Sequence, residues 1–106
     1  MGRLLLIWPR TRDFPVYERL IPTLTLPYIA GLTPAGWEVR FADDNYGEVD
    51  LAADVDVVGI SVNTMSAVRA YALADGFRAR GVTVVLGGWH ATFCPDEAAG
   101  HADAVV

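Results

Sequence analysis

A chain of 106 residues allows one domain with a single core and is small for a complete enzyme. Hydrophobic residues make up 53% and mean hydropathy is +0.30, which excludes disorder and suits a sheet buried on both faces. The formal net charge of −5, with no cluster of Lys or Arg, argues against nucleic acid or an anionic membrane surface as partner.

No apolar run approaches the length that spans a bilayer, and the N-terminus lacks a signal-peptide pattern. Cys94 is the only cysteine, so neither an intramolecular disulfide nor a multi-cysteine metal site is available. These features lead us to expect a soluble, cytoplasmic α/β domain.

The first element is Arg3 to Trp8, a continuous apolar run stopped by Pro9, as in a central strand. Residues 9 to 23 carry three prolines, Asp13 and several arginines, and read as a long loop. A short helix is predicted from Leu26 to Thr33, with Pro27 in its first turn and Pro34 ending it. Trp37 to Ala42 forms a second strand and Asp43-Asp44-Asn45 its turn. Residues 46 to 53 hold at most one helical turn, and Val55 to Ser61 is the third strand.

The helix from Ser66 to Arg80 has the clearest pattern. Ser66 caps it, and Ala70, Leu73, Ala74 and Phe77 make an i, i+3, i+4, i+7 apolar face. Arg78 and Arg80 suit the negative end of its dipole, and Gly81 suits a left-handed exit. Val82 to Leu86 is strand four, ending in a Gly-Gly loop. Pro95-Asp-Glu-Ala-Ala has the composition of a helix start. Ala102 to Val106 is a fifth strand. A unit of this kind is normally covered by one more helix, so the chain, one domain over residues 1–106, is expected to come from a longer protein.

Two segments carry the functional signal: Asp56-Val-Val-Gly-Ile-Ser-Val-Asn-Thr64 and Val82-Thr-Val-Val-Leu-Gly-Gly-Trp-His-Ala-Thr92. Each is a β-branched apolar run ending abruptly in small and polar residues, with a helix between. That order builds a parallel sheet and puts both polar loops at its carboxyl edge, where open α/β sheets bind ligands. The expected site is therefore Ser61, Val62, Asn63, Thr64, Gly87, Gly88, Trp89, His90, Ala91 and Thr92.

Familiar chemistries are absent. Pro9-Arg10-Thr11 stands where a dinucleotide fingerprint needs glycines, and there is no P-loop. Asp43 is better read as a turn aspartate than as a ribose-binding acid. A phosphoreceiver site needs an acidic pair after strand one, whereas the pair here follows strand two. Two histidines eleven residues apart, with no cysteine pair nearby, make a poor zinc site. Cys94 reads as a buried small hydrophobe, and Trp8 and Trp37 as packing residues. No nucleophile, base and orienting acid assemble, so neither catalytic nor metal-ligating residues are expected.

In this order and spacing, Val58-Gly-Ile-Ser-Val-Asn-Thr64, the helix from Ala70 to Gly81, and the run from Gly87 through Pro95-Asp-Glu-Ala98 resemble a known family. It is the N-terminal cobalamin-binding domain of B12-dependent radical SAM proteins. Leu4-Leu-Leu-Ile-Trp-Pro9 and Gly36-Trp-Glu-Val-Arg-Phe-Ala-Asp43 fit it too, so the resemblance covers nearly the whole chain. It implies a flavodoxin-like, Rossmann-like three-layer domain with a five-stranded parallel sheet, holding cobalamin base-off with its nucleotide tail beside the strands.

In that frame Gly87 and Gly88 admit the tail close to the backbone. Ser61 and Thr64 offer hydroxyls to the benzimidazole or phosphate, and the amides near Ser66 offer a helix N-terminus. Residues Trp89 to Thr92 line the opposite wall. The resemblance also implies a parent methyltransferase or cyclase with an iron–sulfur cluster and S-adenosylmethionine in a following radical SAM barrel. This chain has no motif for either and is not by itself the enzyme. Nor does the loop from Trp8 to Pro15 contain the histidine that ligates cobalt in methionine-synthase-like domains. Two readings stay open here: a cobalamin-binding module, and a cofactor-free α/β interaction or regulatory domain. Self-association through the uncovered fifth strand is a further expectation.

Overall fold

The computed structural model describes residues 2–11 and 25–106. The segment 12–24, most of the expected long loop, lies outside them.

Five strands form one parallel sheet: β1 (Arg3–Trp8), β2 (Glu38–Asp43), β3 (Val57–Ser61), β4 (Thr83–Gly87) and β5 (Ala104–Val105). Their spatial order is β2-β1-β3-β4-β5, the flavodoxin-like order, so the topology switches between β1 and β3. Helix α1 (Thr25–Leu32) follows the first loop, and α2 (Ala67–Ala79) crosses over from β3 to β4. Two five-residue helices, α3 (Trp89–Phe93) and α4 (Pro95–Ala99), connect β4 to β5.

Strand alternation sorts the sheet into two unlike faces. Leu5, Ile7, Val58, Ile60, Val84 and Leu86 join Ala70, Leu73, Ala74 and Phe77 of α2 in one buried cluster. The opposite face presents Leu4, Leu6, Val57, Gly59, Val85 and Gly87 toward α1. One face is therefore filled by core packing. The other is not.

Several local readings need correction. Trp89–Phe93 is helical rather than loop, because Gly88 enters at φ +95° and its carbonyl accepts the Thr92 amide at 3.0 Å. Ser66 makes no side-chain cap to α2. Its hydroxyl is turned back, accepting from the Asn63 amide at 3.1 Å and pinning a 3-10 turn over Thr64–Ser66. Residues 46–53 form turns and no helix. Arg80 donates to the backbone oxygens of Leu51 and Ala53, so this cation anchors a loop as well as facing the helix dipole. Gly81, at φ +81°, is the left-handed exit expected of it. Asp43 accepts the Asn45 amide at 2.9 Å, as a turn aspartate does. Among the described residues no helix is long and apolar enough to cross a membrane.

Candidate functional site

A cavity of about 380 Å³ opens on the α1 side of the sheet. Leu26 and Ile29 of α1 form one wall, and Leu4, Leu6, Val57 and Val85 form the floor. Gly59, Ser61, Gly87, Gly88 and Val106 complete it toward the carboxyl edge. The ladder explains the shape. Leu6 pairs with Gly59 and Gly59 with Val85, and one step along the strands Ser61 pairs with Gly87. Two central positions on this face thus lack a side chain, which leaves a trough across the middle of the sheet.

The trough is apolar except near its carboxyl end. There Ser61, half-buried, brings the hydroxyl to the rim and makes no hydrogen bond among the described residues. A Cβ on Gly87 would meet nothing closer than the Val106 Cβ at 3.9 Å, so its missing side chain is open space. A Cβ on Gly59 would stand 3.0 Å from the Leu6 Cδ2. Gly59 was not among the expected site residues. Its place on the floor follows from the two-residue repeat with Ser61, which the sequence does contain.

Gly88 has a different task. A Cβ there would lie 2.8 Å from the Val62 carbonyl oxygen and 2.9 Å from its nitrogen. Two backbone bonds hold this crossing: the Val62 amide donates to Gly87 O at 2.8 Å, and the His90 amide to Val62 O at 3.0 Å. The loops after β3 and β4 are thereby locked together. Gly88 borders the cavity, but the approach it permits is that of the protein's own backbone.

The expected residues do not all share one location. Ser61, Gly87 and Gly88 line the cavity. Val62 and Ala91 are fully buried in the core on the α2 side. Asn63 is half-buried in the 3-10 turn, and Thr92 caps back onto Gly88 O at 2.8 Å. Trp89 is exposed at the surface and stacks on Phe93, with ring centres 6.1 Å apart.

Thr64 and His90 meet on the α2 side of the sheet, where Thr64 Oγ1 lies 3.1 Å from His90 Nδ1. His90 Nε2 is 2.8 Å from Glu97 Oε1, and the Tyr71 hydroxyl donates to that same oxygen at 2.7 Å. These two hydrogen bonds, His90's the larger, hold the Glu97 carboxyl below its ordinary range. Burial first and Glu97 second push the Tyr71 phenol up. The second histidine, His101, stacks on Tyr71 at 4.2 Å and bonds Asp75 at 2.8 Å. Both imidazoles are thus engaged with α2 and α4. Cys94 is half-buried beside them rather than sequestered in the core.

At the same carboxyl edge lies a buried ion pair that the sequence reading missed. Asp44, with no exposed side-chain surface, accepts from Arg69 Nε at 2.7 Å and Nη2 at 3.1 Å, and from the Arg10 amide at 3.1 Å. Burial alone would raise its pKa. The Arg69 bonds and charge, with the Arg10 amide, outweigh that and hold it low. The pair ties the ends of β1 and β2 to the first turn of α2. Charged neighbours in a turn look the same in sequence whether solvated or paired, so only the fold reveals it.

Residues 16–106 match the family described as the B12 binding domain. The chain is 44% identical over 84 residues to bacteriochlorophyllide d C-8(2)-methyltransferase of Chlorobaculum tepidum. It is 35% identical over 86 residues to bacteriochlorophyllide d C-12(1)-methyltransferase of the same organism. Each alignment covers 78% of this chain and 19% of the relative, so the chain corresponds to about a fifth of either methyltransferase. No solved structure matches it significantly. With most of its length matched by the family and a five-stranded parallel sheet in the corresponding topology, the chain belongs to the B12-binding domain family.

Proposed function

We propose that this chain holds base-off cobalamin at the carboxyl edge of its sheet, with the nucleotide tail in the trough over Gly59 and Gly87. The observation that carries the reading is the cavity itself. It is apolar, of a size ordinary for cofactor sites, and ends at the hydroxyl of Ser61, which makes no hydrogen bond among the described residues. A flat aromatic base needs a slot without side chains, which Gly59 and Gly87 supply. Its nitrogen needs one donor at the slot's end, which Ser61 supplies. Leu6, Leu26 and Val85 exclude water from the base, and Gly88 keeps the two bordering loops in register.

Neither histidine supports a lower axial ligand to cobalt. Both rings are engaged on the face opposite the cavity, and residues 8–15 contain none. When bound, cobalamin supplies methyl-carrying chemistry; the residues of this chain bind and shield rather than transfer protons. The names of the relatives support a methyltransferase as the parent activity; the iron–sulfur cluster and S-adenosylmethionine in an adjoining radical SAM barrel are what the sequence resemblance implies. That barrel is the partner we assign, in the cytoplasm, with no nucleic acid or membrane.

Passing the purified chain with hydroxocobalamin through a desalting column tests the binding claim. Red protein with a base-off spectrum is the expected result. Colourless protein would favour the cofactor-free interaction domain.

A further inference from the structure

The break between α3 and α4 falls at Cys94, and it gathers three side chains of ligating type. His90, Cys94 and Glu97 follow an i, i+4, i+7 spacing, so two short helices in tandem present them on one side. One ligand atom from each, an imidazole nitrogen, the thiol sulfur and a carboxylate oxygen, lie within 4.8 Å of one another. The eleven-residue spacing of His90 and His101 hid this grouping in the sequence, because the partners of His90 are not the other histidine.

Two of the three are already held by outer partners. Thr64 Oγ1 sits 3.1 Å from His90 Nδ1, and Tyr71 fixes Glu97 Oε1 at 2.7 Å. Metal-ligating imidazoles and carboxylates are held in this way, by bonds from the far nitrogen and from a neighbouring donor. His90 Nε2 and Glu97 Oε1, both Lewis bases, stand only 2.8 Å apart. Something positive must lie between them, either a proton or a cation. With Nδ1–H donating to Thr64, Nε2 is free for a cation.

We propose that His90, Cys94 and Glu97 form a site for a borderline-soft divalent ion, Zn²⁺ before others, with a fourth position open to solvent. Thiolate, imidazole and carboxylate together are a zinc donor set, whereas a hard ion such as Mg²⁺ avoids sulfur. Zn–ligand bonds of about 2.0–2.3 Å place tetrahedral ligands roughly 3.3–3.8 Å apart, so the cluster must contract by about 1 Å. Glu97, with 55% of its side chain exposed, has the freedom to close that gap, and the same exposure admits the ion. Binding displaces the thiol proton of Cys94 and the proton shared by His90 and Glu97. The ion would brace the segment directly after Gly87 and Gly88. This site is independent of cobalamin.

The test uses the whole chain freed of cobalamin and metal, titrated with Zn²⁺ against a chromogenic chelator and separately with a Co²⁺ salt. One equivalent should bind, with a thiolate-to-metal band in the near ultraviolet for Co²⁺. Cys94→Ser and Glu97→Gln should each weaken binding by about tenfold or more and Thr64→Val by about tenfold, while His101→Ala leaves it unchanged. Circular dichroism checks that each variant is folded, and if Cys94→Ser is not, Glu97→Gln decides. Absence of binding, absence of the band, or an affinity unaltered in the folded variants would overturn the proposal.

Discussion

Ser61 and Gly87 face each other across the ladder between β3 and β4, one bringing a hydroxyl and the other an empty position to the same end of the cavity. That pairing gives the trough both its opening and a hydroxyl that is unengaged among the described residues. It also separates two adjacent glycines by role. Gly87 leaves open space in the trough and Gly88 leaves room for Val62.

Gly88→Ala should therefore lower stability whether or not cobalamin is present. A φ of +95° and an approach of 2.8 Å to a backbone oxygen both oppose a Cβ, and neither neighbour is a flexible side chain. We expect a loss of at least about 1–3 kcal/mol in urea unfolding of the cofactor-free chain. Unchanged stability would show that the crossing of the two loops is not rigid.

Asp44 should make the fold acid-sensitive. Its folded pKa lies below the ordinary 3.8, so its contribution is complete above that value and is lost as pH falls through the lowered one. Asp44→Ala leaves the partly buried Arg69 with only its longer ion pair to the exposed Glu48, at 3.8 Å, and should cost about 2–3 kcal/mol near neutral pH. The difference between the two proteins should then narrow in strong acid. Parallel stability curves down to low pH would count against the ion pair as the cause.

His90→Ala and His101→Ala should leave the Co(II) electron paramagnetic resonance signature of bound cobalamin in place. The rings lie on the α2 side of the sheet, engaged by Glu97 and Asp75. A shifted signature in either variant would place a histidine on cobalt and refute the assignment of the axial face.

The architecture was legible because its signals are periodic. The apolar face of Ala70, Leu73, Ala74 and Phe77, the left-handed exit at Gly81 and the β-branched runs each follow from local physics, and all five strands fall within two residues of their expected ends. The carboxyl edge was legible for the same reason, since alternation of strand and helix dictates where the loops lie. What escaped was direction. Four letters in a row, Trp89 to Thr92, read as one wall, yet as a helix they diverge: Ala91 goes into the core, His90 to Glu97, and Trp89 to the surface. Gly59 shares a face with Ser61 by the two-residue repeat, but that it and Gly87 empty the same stretch of the sheet appears only once the ladder between β3 and β4 is known. Asp44 with Arg69 and Thr64 with His90 are joined by packing between elements, which spacing along the chain does not encode.

The central claim is that the trough over Gly87 receives the cofactor's tail, and one titration addresses it directly. Hydroxocobalamin is added to the native chain and to Gly87→Val, with affinity read from the visible spectrum and folding from circular dichroism. Valine suits a strand, and its Cβ enters open space, so the variant should fold with nearly native stability. The account predicts cobalamin binding by the native chain and an affinity at least about tenfold lower in the variant, a loss of roughly 1.4 kcal/mol or more. Equal affinity in the two folded proteins would contradict it.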